Sequence, residues 1–303
     1  MFSFIVGGIA FLLVFYNPIV QYLSRGGDPV RLPRTPRPRI NESLLALDAA
    51  NETLSLAHCP PDAYAVHILS KAPLVIYIEN FISEDERAHL LEISEPLFEP
   101  STITNDGNST VRNATIRDSE VALIPRTDAV RCVEARAKAF QGWRDDLWIE
   151  RLRTQRYGTD QHYAHHFDWG SGARGWGRVS SFMAWVQVDG GGFEGGGTEF
   201  PRLPRAGPDE PWCRWVECPP ETRRGEDDDD DGGGGASVLR EKKKDGEPVM
   251  GVTFRPVAGN AVFWENFRPD GTGRGWEETW HAGLPVRRGT KVGLNIWSWG
   301  RLS

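Results

Sequence analysis

The chain has 303 residues, which is enough for one large domain or two small ones. Its formal net charge is −7, and much of it comes from the acidic run at residues 226 to 231; nothing in the composition resembles the basic footprint of a nucleic-acid-binding protein. The composition includes 12 Trp, 33 Gly and 21 Pro, and the Gly residues concentrate among short apolar runs in the second half. This distribution favours strands and turns over long helices.

The first 23 residues carry no charged side chain and are mostly apolar. Their length matches the ~20 residues that a helix needs to cross a bilayer. A cleaved signal peptide would carry a basic start and a small-residue cleavage site, and both are missing. We therefore expect residues 1–23 to be an uncleaved transmembrane anchor, with a cleaved signal or a buried core helix as the alternatives.

The orientation of this anchor rests on two opposing signals. Five arginines lie between residues 25 and 39, and the positive-inside rule taken alone would leave the body of the protein in the cytosol. Four N-glycosylation sequons, at Asn41, Asn51, Asn108 and Asn113, indicate a lumenal surface instead. We expect a single-pass glycoprotein of the endoplasmic reticulum membrane with its body in the lumen.

Beyond the anchor, the composition divides the chain into a linker and a folded unit. Residues 24–60 are rich in Pro, Arg and polar residues and are expected to form a lumenal stalk, while residues 61–303 form the domain. Within the domain, an acidic block, a glycine run and a basic block occupy about 222–248 and cannot bury a core. We expect a disordered surface insertion there; binding of calcium or of a partner by the Asp run is the alternative.

The domain begins with a mixture of strand and helix signals. The run from Leu74 to Ile78 predicts a strand, Ser83 and Glu86 form a capping box that opens a helix, and a second helix is predicted over 127–142. After residue 148, short apolar runs separated by glycine-rich turns follow one another. The pattern predicts a mainly β fold with flanking helices, a sandwich or barrel of the jelly-roll kind.

The stretch QHYAHHFDW, residues 161–169, holds three histidines and an aspartate. On a strand, residues two apart share a face, so His166 and Asp168 converge. Only one histidine, His281, follows, and together the three match a 2-His-1-carboxylate facial triad for Fe(II). Lys291 opens an apolar strand ten residues later and could hold a dicarboxylate. The alternatives are packed histidines without a metal and a solvated lysine.

The motifs as a set resemble a known family. RYGTDQHYAHHFDW resembles the R-Y-x-x-G-Q-x-Y-x-x-H-x-D block of the prolyl 4-hydroxylases, and RVSSFMAWV, GGGTEFP, GNAVFWEN and HAGLPVRRGTKVGLNIW resemble the blocks that follow it. The resemblance runs from about residue 67 to 300 with the motifs in the family's order. Gln161 stands later than in the family, Trp185 replaces a usual tyrosine, and the span between Asp168 and Arg178 is shortened.

The resemblance implies a double-stranded β-helix dioxygenase that hydroxylates peptidyl proline and releases succinate and CO2. Its cofactors would be Fe(II), 2-oxoglutarate, O2 and ascorbate, and its partner a proline-containing protein or peptide. The site residues carried over fall into three groups: metal ligands His166, Asp168 and His281; 2-oxoglutarate residues Lys291, Tyr157 and Thr198; and substrate residues Tyr163, Arg178 and Trp297. His162 and His165 are not ligands in this alignment.

Other functions stay open at this point. The same chemistry could act on another residue such as lysine or on a small molecule, and a catalytically silent, membrane-tethered binding module would keep the barrel as a scaffold. A zinc hydrolase would give Lys291 and the GGGTEFP turn no role. The sequence shows no coiled-coil heptads, and a monomer is expected.

The four cysteines have no C-x-x-C spacing, which argues against a structural zinc site. Cys213 and Cys218 could close a short loop, and Cys59 and Cys132 could form a second disulfide. Free buried thiols are the alternative.

Overall fold

The structure, a computed structural model, describes residues 36–38, 42–48, 59–105, 109–170, 175–189, 191–205, 211–218 and 249–302. Its α-helices are α1 (Glu84–Ser94) and α2 (Asp128–Phe140). Its strands are β1 (Ala65–Lys71), β2 (Leu74–Glu79), β3 (Glu99–Pro100), β4 (Ile103–Asn105), β5 (Ser109–Val111), β6 (Arg117–Asp118), β7 (Glu120–Leu123), β8 (Leu147–Ile149), β9 (Arg153–Tyr157), β10 (His162–His166), β11 (Trp176–Val188), β12 (Glu194–Gly195), β13 (Thr198–Arg205), β14 (Val249–Phe254), β15 (Ala261–Glu265), β16 (His281–Gly283), β17 (Val286–Arg288) and β18 (Lys291–Arg301). Short 3-10 turns lie at Glu42–Leu44, Glu95–Leu97, Pro211–Arg214 and Glu277–Thr279.

Two predicted segments fall outside these residues. The predicted anchor at 1–23 and the predicted insertion at about 222–248 both lie in parts of the chain that the structure does not describe. Among the helices that it does describe, none is long and apolar enough to cross a bilayer.

The strands form two main antiparallel sheets. The major sheet has the order β1-β2-β15-β11-β18-β9-β7-β3, with β8 also paired to β18, and the minor sheet has the order β14-β13-β16-β10-β6. Neighbours in the sheets come from distant parts of the chain, as in the pairing of β18 with β9 and β11. The mainly β, jelly-roll fold class predicted from the sequence is confirmed.

Strand β18 shows how the sheet separates the core from the site. Val292, Leu294 and Ile296 are buried in the hydrophobic core that α1 and α2 help to cover. Because side chains alternate along a strand, Lys291 and Asn295 lie on the opposite face, and both line a cavity there. One strand therefore contributes to the core on one side and to the cavity on the other.

Both predicted helix starts are confirmed. Ser83 Oγ accepts a hydrogen bond from the Glu86 amide at 3.2 Å, and the Glu86 carboxylate accepts one from the Ser83 amide at 2.9 Å. Thr127 is the N-cap of α2 and accepts from the amide of Val130. The helix ends at Phe140, slightly before the predicted residue 142, because Gly142 adopts the left-handed region (φ 80°) that stops a helix.

The segment before the domain packs on it more closely than a free stalk would. Leu45 is only 4% exposed, and the Ala46 amide donates to the Ile149 carbonyl at 2.8 Å. Residues 42–48 of the predicted stalk are therefore part of the folded unit.

The two predicted disulfides, Cys59–Cys132 and Cys213–Cys218, are both present. The first joins the start of the domain to α2, and the second closes the loop that follows β13. The alternative of free thiols at these positions is wrong.

Candidate metal centre

The three predicted metal ligands meet where β10 and β16 pair. His166, at the end of β10, lies directly opposite His281, at the start of β16. The Asp168 carboxylate completes the group, with oxygens 3.7 Å from His166 Nε2 and 4.0 Å from His281 Nε2. One ligand atom from each residue lies within 4.8 Å of the others, so a single ion could contact all three.

Backbone carbonyls orient both imidazoles. The Nδ1 atom of His166 lies 2.9 Å from the Ala164 carbonyl, and that of His281 lies 2.8 Å from the Thr279 carbonyl. A carbonyl oxygen only accepts, so each Nδ1 carries the proton and each Nε2 keeps a free lone pair towards Asp168. Outer hydrogen bonds of this kind are those that fix metal-binding histidines.

The electrostatics of the cluster favour the protonation states that a metal requires. Burial lowers the pKa of His281 to about 4, with the neighbouring His166 acting in the same direction, so this imidazole is neutral near pH 7. Burial opposes ionisation of Asp168, but the neighbouring His166, His281 and Arg178 hold its pKa well below its ordinary value. Two imidazoles and one carboxylate form the donor set of non-haem Fe(II) oxygenases, and these residues therefore fit that ion.

A buried lysine lies at the far end of the same cavity. Lys291 is 1% exposed, its Nζ donates to the Gly196 carbonyl, and it lies 4.9 Å from the ring centroid of Tyr157. Burial lowers the pKa of Lys291 to about 7. Among the residues that the structure describes, no carboxylate forms an ion pair with it. A small dicarboxylate entering the cavity would therefore meet an unpaired cation.

The structure brings most of the predicted residues to this cavity. Its lining includes the triad and the other predicted residues Lys291, Tyr157, Thr198 and Tyr163. The ring of Tyr163 stacks on that of His166 at 3.8 Å between centroids, and the Arg117 guanidinium lies 4.7 Å from the Tyr163 ring centroid. His165 instead contacts Glu199 at 2.7 Å, and His162 contacts backbone carbonyls, which agrees with their assignment as neighbours of the triad.

Two predicted substrate residues form a unit beside the cavity. The Arg178 guanidinium lies 3.9 Å from the centroid of the Trp297 ring. Glu150 holds this guanidinium by two hydrogen bonds of 2.6 and 2.9 Å. The two hydrogen bonds to Glu150 hold the plane of the Arg178 guanidinium in a fixed orientation against the Trp297 ring. The guanidinium edge that does not bind Glu150 is therefore a rigid cationic group.

Further lining residues were not anticipated. Gln155, Met183, Trp264 and Asn295 also face the cavity, and Gln155 accepts a hydrogen bond from the Tyr157 hydroxyl at 2.8 Å. The two-residue alternation of side chains along a strand could have identified two of these residues, Gln155 and Asn295, from the sequence. Gln155 lies two residues before Tyr157, and Asn295 lies four after Lys291.

Comparison with known proteins agrees with this geometry. Residues 152–299 match the 2OG-Fe(II) oxygenase superfamily. Prolyl 4-hydroxylase 5 of Arabidopsis thaliana is 25% identical over 239 residues, covering 77% of this chain and 70% of that protein. Probable prolyl 4-hydroxylase 3 of the same organism is 22% identical over 237 residues, covering 76% and 70%.

Solved structures of prolyl hydroxylases are also similar to the chain. The viral collagen prolyl hydroxylase of Paramecium Bursaria Chlorella virus-1, in its 2OG complex, has a TM-score of 0.45 and 19% identity, covering 75% of this chain and 96% of that one. The Pseudomonas putida prolyl-4-hydroxylase has a TM-score of 0.43 and 16% identity, covering 76% and 94%.

A jelly-roll barrel with a His-Asp-His cluster at a strand pair defines the class of protein, a non-haem oxygenase. The family match over residues 152–299 and the prolyl 4-hydroxylase relatives support a prolyl 4-hydroxylase-like 2-oxoglutarate-dependent dioxygenase. Fe(II), 2-oxoglutarate and O2 are the cofactors that this family implies.

Proposed function

We propose that the chain hydroxylates proline in a protein or peptide, releasing succinate and CO2, as a prolyl 4-hydroxylase. The observation that carries this proposal is the single cavity that joins the triad to the buried Lys291. In the proposal, His166, Asp168 and His281 hold Fe(II), and Lys291 holds the distal carboxylate of 2-oxoglutarate. The names of the curated relatives support proline as the target.

Bound Fe(II), with 2-oxoglutarate and O2, supplies the oxidising power to insert oxygen into an unactivated C–H bond. The chain's own residues bind and orient the reactants. Lys291 gives the co-substrate carboxylate a charged donor in a site from which burial excludes water. The neighbouring Tyr157, 3% exposed, closes one wall beside Lys291.

The peptide side of the site is formed by Tyr163, Arg178 and Trp297. A cationic edge and two aromatic surfaces suit an extended, proline-containing backbone, because the guanidinium can bind peptide carbonyls while the rings pack on pyrrolidine. Glu150 keeps Arg178 in position for this contact. Ascorbate would act as the external reductant in the assay.

The test uses the full-length chain in detergent with Fe(II), 2-oxoglutarate, ascorbate and a panel of proline-rich peptides. Mass spectrometry should find one added oxygen on proline, with matching succinate. Asp168→Ala should bind less iron than the unchanged chain. Substitution of a residue that only hydrogen-bonds to a metal ligand typically costs roughly 10- to 100-fold in activity, and loss of the ligand Asp168 itself should cost more. His165→Ala, beside the triad but turned towards Glu199, is the matched control and should keep its iron.

Each other result selects a different function. Succinate without modified proline would sink the substrate and retain the dioxygenase, pointing to another residue or a small molecule. A folded, iron-loaded protein that forms no succinate would indicate a silent binding module.

We also infer that the protein is a single-pass protein of the endoplasmic reticulum membrane, with 1–23 as anchor and 24–60 leading to a lumenal domain. The sequons support this orientation. One of them, Asn113, lies in a turn before β6, where its side-chain carbonyl accepts from Thr115. Expressed in a secretory pathway, the chain should shift in mobility on glycosidase treatment, and Asn113→Gln should reduce that shift; an unshifted chain would place the domain in the cytosol.

A further inference from the structure

Three tryptophans from three neighbouring strands form an aromatic cluster at one end of the major sheet, in which Trp148 and Trp299 are partly exposed and Trp176 is 6% exposed. Trp176 on β11 stacks with Trp299 on β18 at 5.2 Å between ring centroids. Trp148 on β8 lies 5.9 and 6.1 Å from these two rings. Strand pairing explains the cluster, since Trp299 is directly opposite Trp148. We call Trp148, Trp176 and Trp299 the tryptophan platform.

The platform continues the substrate side of the candidate metal centre. Residues two apart on a strand share a face, so Trp299 lies on the same face of β18 as Trp297 and Asn295. Asn295 lines the cavity, and Trp297 contacts Arg178. At ~3.3 Å per residue, Trp299 is about 13 Å from Asn295 along the strand. An extended peptide leaving the cavity in this direction would reach the platform.

A short piece of the chain itself already lies on the platform. The segment Pro36, Arg37 and Pro38 places the Arg37 guanidinium 4.9 Å from the ring centroid of Trp148. The same guanidinium donates to Glu42 at 3.0 Å. Proline fixes φ and favours an extended backbone, and proline-rich peptides bind aromatic-lined surfaces elsewhere. The contact shows that Trp148 accepts an arginine, and the prolines on either side of Arg37 favour an extended segment around it.

We propose that the tryptophan platform is an accessory binding site for an arginine- and proline-containing segment of the peptide substrate, and that Pro36 to Pro38 occupies it when substrate is absent. This inference rests on the proposed function, because it takes the ligand to be part of the hydroxylated peptide. A polyproline helix advances ~3.1 Å per residue, so it spans about 13 Å in about four residues. The favoured peptide carries its Arg-Pro element about four residues from the target proline.

The first experiment measures binding, without turnover. Fluorescence anisotropy follows a labelled peptide with two Arg-Pro repeats, added to the full-length chain in detergent. Arg37→Ala should bind it about two- to five-fold more tightly than the unchanged chain, the size of one exposed cation–π contact. Adding Trp148→Leu to Arg37→Ala should remove this gain. Arg112→Ala and Trp143→Leu, exposed positions outside the platform, are the matched controls.

Equal affinity for the unchanged chain, Arg37→Ala and the double variant would overturn the proposal. Circular dichroism checks that each variant is folded. If Trp148→Leu unfolds the protein, Trp299→Leu combined with Arg37→Ala repeats the test from another strand.

The second experiment separates this inference from the proposed function. With a target proline four residues from Arg-Pro, Arg37→Ala should lower KM two- to five-fold at unchanged kcat, and a peptide with Ala-Ala in that place should show no change. If the peptide affinity changes with the platform variants as expected but no turnover occurs, the prolyl hydroxylase function alone would be wrong. Turnover with neither a KM nor a binding difference would sink the platform alone.

Discussion

At the level of single residues, the site combines groups that are recognisable from spacing with groups that are not. The two-residue period of a strand predicted that His166 and Asp168 converge, and they do, although β10 ends at His166 and Asp168 follows it. His281 was predicted as the third ligand because it is the only histidine after residue 168 and because its surroundings resemble the prolyl 4-hydroxylases. The Glu150 clamp on Arg178 links residues 28 positions apart on different strands, so no local pattern could predict it.

If Lys291 holds 2-oxoglutarate as proposed, the affinity for this co-substrate should depend on pH. Its pKa is about 7 without a ligand, and a carboxylate beside Nζ favours the charged form and raises that pKa. Binding therefore takes up a proton: affinity is complete below pH 7 and falls as the pH rises above 7 towards the ligand-bound pKa. Calorimetry at pH 8 in two buffers of different ionisation enthalpy should detect proton uptake.

In the matched variant Lys291→Met this uptake should vanish, and affinity should fall about 10- to 150-fold, the range for a hydrogen bond to a charged group. Uptake that survives in Lys291→Met would assign the proton to another group.

If Arg178 contacts the peptide as proposed, Glu150 should influence peptide binding by orienting Arg178. Glu150→Gln weakens both charge-assisted bonds that orient the guanidinium, so KM for the peptide should rise roughly 10-fold. KM for 2-oxoglutarate should stay constant, because Glu150 does not line its cavity. A parallel rise in both constants in steady-state assays would indicate general damage to the fold instead.

At the level of elements, the helices and long strands were the most predictable parts. Capping signals at Ser83 and Thr127 act within one turn, which explains why sequence alone located both helix starts. The register of β18 against β9, which places Lys291 opposite Tyr157, joins distant segments and could only be read from the structure.

A buried ion pair joins the two helices. Arg136 on α2 binds Glu86 on α1 at 2.9 Å, and the two side chains are 5% and 4% exposed. Arg136→Ala would leave the Glu86 charge buried without a partner, so we expect a loss of about 3–5 kcal/mol in the free energy of unfolding, measured with denaturant. Arg156→Ala, which breaks more exposed pairs, should cost about 1 kcal/mol or less; equal losses would contradict this explanation.

For the whole molecule, the jelly-roll class was predictable because short alternating runs and turns recur, but the start of the folded unit was not. The Pro- and Arg-rich composition around Leu45 predicts a linker. A single buried leucine in a polar stretch produces no hydrophobic periodicity, so the sequence does not indicate that Leu45 packs on the domain.

The position of Leu45 predicts the effect of truncation. A chain beginning at residue 42 keeps the contacts with β8, and one beginning at 49 loses them and opens a cavity where Leu45 was. The free energy of unfolding of the second chain should be about 2–5 kcal/mol lower than that of the first, as for leucine-to-alanine substitutions in a core. Thermal and denaturant unfolding of the two chains test this, and equal stability would show that residues 42–48 contribute nothing.

The Cys59–Cys132 disulfide also determines how the protein bears mechanical load. If the N-terminus is tethered, tension acts first on Arg37 and then on residues 42–48, whose contacts with the sheet are noncovalent. The bond at Cys59 stops this peeling and passes the force directly to α2. Pulling in an optical trap should release on the order of 80 Å of chain, from residue 37 to 59 at ~3.5 Å each, before the barrel yields. The barrel would then stay folded while Pro36 to Pro38 is pulled off the tryptophan platform, so tension along the stalk would act as a switch for the peptide surface.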